Sequence, residues 1–295
     1  EATSSWTRGV YSTDELSGYY YIFDPDNEQK CRSGKKAVKL NAGETAWKKC
    51  AESEYISGLF IWTGIDYRGE PTPLAYPSVY SHFGVMDYCA FPKDNFYYYK
   101  SWWQTEPVLH IFPHWNFIGH EGEIIPIYCY SNIDEIELFV NGKSYGRRVM
   151  EKNWYLYWDD VVYEPGTLMA KGYKDGIEVI SDIVETTDHS KSIAANVYKD
   201  QIAVGDTAII NLDIVDSEGR TVPTADNRLR FEVRGGEFLG TGNGNPGDLD
   251  PDKVLLRRAF MGKCQLLVRA TQQGEIRIKI SSSGLTGTEC TVKVV

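Results

Sequence analysis

The pattern of apolar and polar positions divides the chain into three stretches with different periods. In the first, residues 42–52 place Ala46, Trp47, Cys50 and Ala51 on one stripe of a helix. Residues 55–62, Tyr-Ile-Ser-Gly-Leu-Phe-Ile-Trp, follow as the short apolar run expected of a strand buried in a parallel sheet. Polar turn chemistry occupies residues 66–73. Pro92-Lys93-Asp94 then opens an aromatic helix over 95–103, with proline near the first turn, where its missing N–H costs nothing. Helix, buried strand, long loop and helix is the rhythm of a β/α unit.

From about residue 106 the period falls to two. Residues 123–130 and 135–140 read as strands, and Asn141-Gly142 supplies a strong hairpin signal leading into 143–146. A further turn and strand occupy 164–173, and Lys174-Asp175-Gly176 makes the next hairpin turn. Beyond about residue 189, strands are predicted over 208–215, 229–233, 264–270 and 276–280, with a turn at 216–219. Short strands at this spacing predict two successive sandwiches of immunoglobulin type. The expected domains are therefore 1–105, 106–188 and 189–295. A segment such as 1–105 is too short to close an eight-stranded barrel by itself.

Composition narrows the function. A net charge of −10 over 295 residues, with no block of basic side chains, argues against nucleic-acid binding. No apolar run approaches the roughly 20 residues that a bilayer core requires. Eight Trp, twenty Tyr and eleven Phe crowd toward the first 160 residues. Such rings fill cores, and they also stack on the C–H face of a pyranose. Six cysteines show no C-x-x-C pair, and Cys129 and Cys264 sit in apolar runs as small hydrophobes. Nothing here requires an oxidising compartment. The chain opens on Glu1 without a visible signal peptide and reads as a processed or truncated piece.

His110, His114 and His120 lack metal-ligand spacing, since Pro113 breaks any helix that would align the first two. Asp248, Asp250 and Asp252 alternate like a calcium loop, but Lys253 and Ala259 occupy the positions that need Gly and Glu. Residues 240–244 are followed by neither Gly-Lys-Ser/Thr nor an opening helix, so no phosphate cradle is expected. No metal and no cofactor are expected.

The stretch 57–73, Ser-Gly-Leu-Phe-Ile-Trp-Thr-Gly-Ile-Asp-Tyr-Arg-Gly-Glu-Pro-Thr-Pro, closely resembles the last barrel strand of glycoside hydrolase family 2, in its β-galactosidase-like branch. The likeness continues through Tyr76-Pro77-Ser78, Phe83-Gly84-Val85-Met86-Asp87, Phe91-Pro92-Lys93-Asp94 and Lys100-Ser101-Trp102-Trp103. Residues 137–144 look like the β-domain that follows the barrel. Residues 242–246 and 257–262 resemble its C-terminal sandwich. The resemblance implies a mixed fold: the end of a (β/α)8 TIM barrel, about strand 8 with flanking helices, followed by two all-β immunoglobulin-like sandwiches.

Members of this family cleave β-linked sugars with retention, using two carboxyl groups about 5–5.5 Å apart. By resemblance, residues 1–11 look like the end of the seventh strand, which makes Glu1 the candidate nucleophile. The acid/base glutamate is expected on an earlier strand, before residue 1, so the isolated chain is expected to be inactive. Trp62 aligns with a tryptophan that floors the sugar site. Asp66, Tyr67 and Asp87 are loop-borne, and each is expected either to bond sugar hydroxyls or to brace its own loop. The β-glucuronidases of this family carry Asn-x-Lys where this chain has Ser81-His82-Phe83. Phe83 thus removes a cation and favours a neutral hexoside over a uronide.

The expected partners are a β-galactoside or related neutral glycan and the upstream part of the same catalytic domain, with a homo-oligomer left open. Export to the periplasm or beyond is implied by the resemblance alone. Two other readings compete with hydrolysis. The sandwiches could bind glycan through exposed rings such as Trp115, Trp154 or Trp158, or they could act purely as spacers or dimer contacts.

Overall fold

Alternating polar and apolar residues drive most of the molecule into strands. The computed structural model describes residues 2–3, 8, 42–71, 76, 78–81 and 83–295. The chain forms two compact units, Glu1–Thr186 and Thr187–Val295.

The first unit opens with β1 (Ala2–Thr3), which pairs in parallel with β2 (Ile61–Trp62) in the register Ala2 to Ile61 and Thr3 to Trp62. The two helices described in this unit are α1 (Ala42–Glu52) and α2 (Asp94–Trp103). The apolar run at 55–62 is not the buried strand that its composition predicts. Only its last two residues pair, and Tyr55 and Phe60 are each 87% exposed. A strand buried on both faces needs neighbours along both edges, and among the described residues β2 has one, two residues long. The buried face of α1 also departs from its apolar stripe. Cys50 is buried, but Ala51 is exposed and Glu44 is wholly buried.

The reason lies in α2 and what it packs against. Tyr98 and Tyr99 are buried with Phe112, Tyr128, Tyr130 and Tyr155, in a cluster that also takes in Trp47 of α1. The hydroxyls of Tyr98 and Tyr130 find partners in Glu44, in the first turn of α1. The single Tyr98 hydroxyl proton faces the Asn153 carbonyl at 2.8 Å and the Glu44 carbonyl at 3.1 Å, Tyr130 donates to Glu44 Oε1, and Asn95 Nδ2 donates to that same oxygen. The Trp47 indole donates to Asn153 Oδ1.

The rest of the unit is a sandwich. One sheet orders β3 (Leu109–Phe112), β4 (Ile127–Ser131) and β7 (Leu156–Trp158). The other runs β6 (Lys143–Val149), β5 (Glu135–Val140), β8 (Thr167–Lys174) and β9 (Ile177–Glu185). Every second residue of β5 and β8 turns inward, so Ile136, Leu138, Val140, Leu168 and Ala170 meet Ile111, Ile127 and Cys129 in one core. Trp115 and Trp158 belong to that core and are fully buried. Neither is therefore an exposed ring for a glycan. Trp154 stacks on Tyr155 with Lys48 over its face.

The second unit is an antiparallel sandwich apart from one short parallel pair. One sheet orders β10 (Ser192–Val197), β12 (Thr207–Val215), β16 (Lys263–Arg269) and β14 (Glu237–Gly242). The other orders β11 (Gln201–Ile202), β18 (Thr288–Val294), β17 (Gly274–Ser281), β13 (Arg228–Arg234) and β15 (Leu256–Arg258). Its core joins Ile210, Leu212 and Ile214 to Leu266, Phe231, Ile278 and Ile280. Arg257 is buried and ties down the loop between β14 and β15. It donates to Asp248, to Thr241 Oγ1, and to the carbonyls of Thr241, Asp250 and Pro251. Asp248 is thus spent on Arg257 and Asn243, with its other oxygen accepting from the Asp250 N–H.

Candidate functional site

Beyond β2 the backbone continues as a ladder against residues 79–81 and 83–86. Thr63 N–H donates to the Phe83 carbonyl at 3.0 Å and Val85 N–H to the Thr63 carbonyl at 3.0 Å. Asp66 N–H donates to Met86, Ser81 N–H to Tyr67, and Gly69 N–H to Val79. This ladder requires glycine at 84. A Cβ there would lie 2.4 Å from the Asp66 nitrogen and 2.5 Å from the Met86 oxygen. Both atoms are backbone and cannot step aside. Gly84→Ala is expected to destabilise the first unit by about 1–3 kcal/mol, the usual cost of overpacking. An unchanged urea midpoint would refute that steric argument.

The ladder sorts the polar side chains into an inner and an outer group. Asp66 and Asp87 are turned inward and buried. Asp66 accepts from the Gly84 N–H at 2.8 Å through one oxygen, and its other oxygen is 2.7 Å from Lys93 Nζ. Asp87 accepts from the N–H groups of Cys89 and Phe91, and its second oxygen receives Arg8 Nε at 2.7 Å. The Arg8 guanidinium also lies over the Phe91 ring, 5.1 Å from its centroid. Two carboxylates and two cationic side chains thus lie buried together beneath the loop. Burial pushes the Asp66 carboxyl up to about 6 against the pull of Lys93, and burial likewise pushes Lys93 down.

The outer group is Trp62, Tyr67 and Glu70. Trp62 is 48% exposed and its Nε1 donates to the Tyr67 hydroxyl at 2.9 Å. That hydroxyl donates in turn to Glu70 Oε2 at 2.5 Å, which pushes Tyr67 above its usual range. The Trp62 and Tyr67 rings meet edge to face, 6.1 Å between centroids. Phe83 is half-buried, and its carbonyl holds Thr63. Glu1 and His82 lie outside the described residues.

Of the residues expected at a sugar site, Trp62 and Tyr67 are thus brought together at the surface. Asp66 and Asp87 are joined underneath by Lys93 and Arg8. Sequence reasoning missed Lys93, Arg8, Gly84 and Glu70. For Lys93 the available signal was its place directly before a helix yet among aromatic residues, where its charge would need a buried partner.

The histidines pair locally. His110 Nε2 lies 2.7 Å from Asp94 Oδ1 with its ring stacked on Tyr97, and His120 Nδ1 lies 3.1 Å from Glu123. Burial pushes His114 down to about 4. Among the described residues, no three His, Cys, Asp or Glu side chains converge as a metal site.

Residues 193–291 match the model of the glycoside hydrolase family 2 C-terminal domain 5, and residues 122–180 match a domain of unknown function, DUF4982. A β-galactosidase of Bacteroides ovatus, BoGH2A, is 37% identical over 251 residues, covering 83% of this chain and 29% of that protein. A putative β-glucuronidase of Formosa agariphila is 30% identical over 312 residues, covering 92% of this chain and 29% of that protein. The crystal structure of a β-glycosidase from Bacteroides vulgatus superposes with a TM-score of 0.85 at 28% identity, over 99% of this chain and 41% of the other. The chain belongs to glycoside hydrolase family 2 and corresponds to the C-terminal part of such enzymes. It spans less than a third of the length of either relative.

Proposed function

We propose that this chain is the C-terminal part of a retaining β-galactosidase, in which residues 1–105 supply the last units of a TIM barrel and the sandwiches support them. The observation that carries this reading is the parallel register of Thr3 with Trp62. Two strands paired in parallel, with a long helix-bearing connection between them, is the relation of neighbours in a β/α barrel. Thr3 and Trp62 are register partners, and Glu1 stands two positions before Thr3 in the sequence, which supports a nucleophile close to the sugar floor. The second carboxyl group needed for double displacement comes from sequence before residue 1.

Three features support a neutral sugar. By the family resemblance, Phe83 replaces a lysine expected of a β-glucuronidase, and Lys93 is already committed to Asp66. The Bacteroides ovatus relative is named a β-galactosidase, although the Formosa agariphila protein is named a putative β-glucuronidase. The test is turnover of nitrophenyl β-galactoside and β-glucuronide by the full-length parent enzyme. The galactoside should be the better substrate, Glu1→Gln should lower kcat by at least about a thousandfold, and this chain alone should cleave neither. Preference for the glucuronide, or cleavage by the isolated chain, would sink the proposal.

A further inference from the structure

Trp62 is the end of a hydrogen-bond chain whose direction is fixed by chemistry. An indole N–H only donates, so the Tyr67 oxygen must accept from it and the Tyr67 proton must go elsewhere. It goes to Glu70. The chain therefore runs from Trp62 through Tyr67 and terminates on a carboxylate, a charge-assisted bond that is stronger than one to a neutral acceptor. Tyr67 has spent its only proton inside this chain and has none to donate to a sugar.

The backbone commits to the same arrangement. Gly69 and Glu70 both have positive φ, 87° and 52°, and the turn they make is pinned by Gly69 N–H to the Val79 carbonyl. Glycine bears that conformation freely, whereas glutamate bears it only under strain. The strained turn is what sets the Glu70 carboxylate 2.5 Å from the Tyr67 hydroxyl.

We propose that Glu70 is the positioning residue for the Trp62 platform, acting through the Tyr67 hydroxyl, so that a pyranose meets an indole already fixed in place. The sugar in this statement rests on the functional reading above, while the hydrogen-bond chain stands apart from it. A half-exposed indole that must be ordered on binding loses part of its stacking energy to entropy, and a pre-ordered one does not.

Two measurements test the proposal. In the full 295-residue chain, the Trp62 indole N–H resonance is identified by its loss in Trp62→Phe. Glu70→Ala should move that resonance, Glu70→Gln should move it less because an acceptor remains, and Glu70→Ala should add nothing to Tyr67→Phe. In the parent enzyme, Glu70→Ala should raise KM for nitrophenyl β-galactoside about threefold to tenfold, the share of a ring contact, with kcat within about twofold. Again it should have no further effect in Tyr67→Phe. An unmoved indole signal, or additive effects of the two substitutions, overturns the proposal. A moved signal with unchanged KM overturns it as well. Parent enzyme that ignores β-galactosides sinks the functional reading instead, and the indole resonance alone then judges Glu70.

Discussion

Replacing Lys93 with alanine is expected to lower the stability of the first unit by about 3–5 kcal/mol, the usual cost of stripping one partner from a buried ion pair. Lys93 and Asp66 are nearly inaccessible, and the ammonium lies 2.7 Å from the carboxylate. Without the lysine, Asp66 must either stay charged in a buried site or take up a proton. Burial already raises it to about 6 in the native protein, and loss of Lys93 removes the strongest opposing influence. A carboxyl raised on folding contributes stability below its unfolded value that is lost as pH rises through the folded one. The penalty in Lys93→Ala should therefore be smaller below about pH 6, where Asp66 is protonated in the native protein as well, and should grow as pH rises above that value. All eight tryptophans precede Thr187, so indole fluorescence during urea unfolding reports on the first unit alone. A uniform penalty at all pH values would mean that Lys93 acts through packing, not charge. Asp66→Ala combined with Lys93→Ala should cost less than Lys93→Ala alone at pH 8.

A second large effect centres on Glu44. It is inaccessible, Tyr130 and Asn95 share one of its oxygens, and the other has no partner among the described residues. Burial raises the carboxyl from its ordinary 4.5 to about 7. The folded protein thus keeps a proton between about pH 4.5 and 7 that the unfolded chain has released. Stability from this group is full below pH 4.5, falls as pH rises to about 7, and stays lost above. A shift of this size corresponds to about 3 kcal/mol. Glu44→Gln keeps an acceptor for Tyr130 and Asn95 but cannot ionise, so the difference between its stability and that of the native chain should grow in its favour across that interval. Parallel stability curves for the two proteins between pH 4.5 and 7.5 would exclude an ionising Glu44.

These two sites show which parts of the molecule were legible from sequence. Asn141-Gly142 and Asp175-Gly176 form the hairpin turns that their chemistry demands, with φ of 48° and 80° and of 52° and 78°. The strand over 135–140 has the bounds that its alternation predicts. Local signals sufficed there because hairpins close within a few residues. Glu44 was hidden because an apolar stripe counts only apolar residues, and its buried face is completed by tyrosines 54 to 111 positions away. Lys93 and Asp66 are 27 positions apart across a loop whose path no periodicity encodes. Trp158 was misplaced because a three-residue strand is too short to show which of its faces turns inward. Trp62 and Tyr67 were reached through family resemblance, and Glu70 joins them through a turn rather than a helix or strand.

The tyrosine seam between α2 and β4 constrains how such enzymes can trade parts. Tyr98 and Tyr99 interlock with Tyr128 and Tyr130, and with Tyr155 beside β7. A chimaera that grafts a foreign sandwich after residue 105 would set these rings against side chains that never coevolved with them. Exchange would be better tolerated with a crossover near Thr187, where one compact unit ends and the next begins.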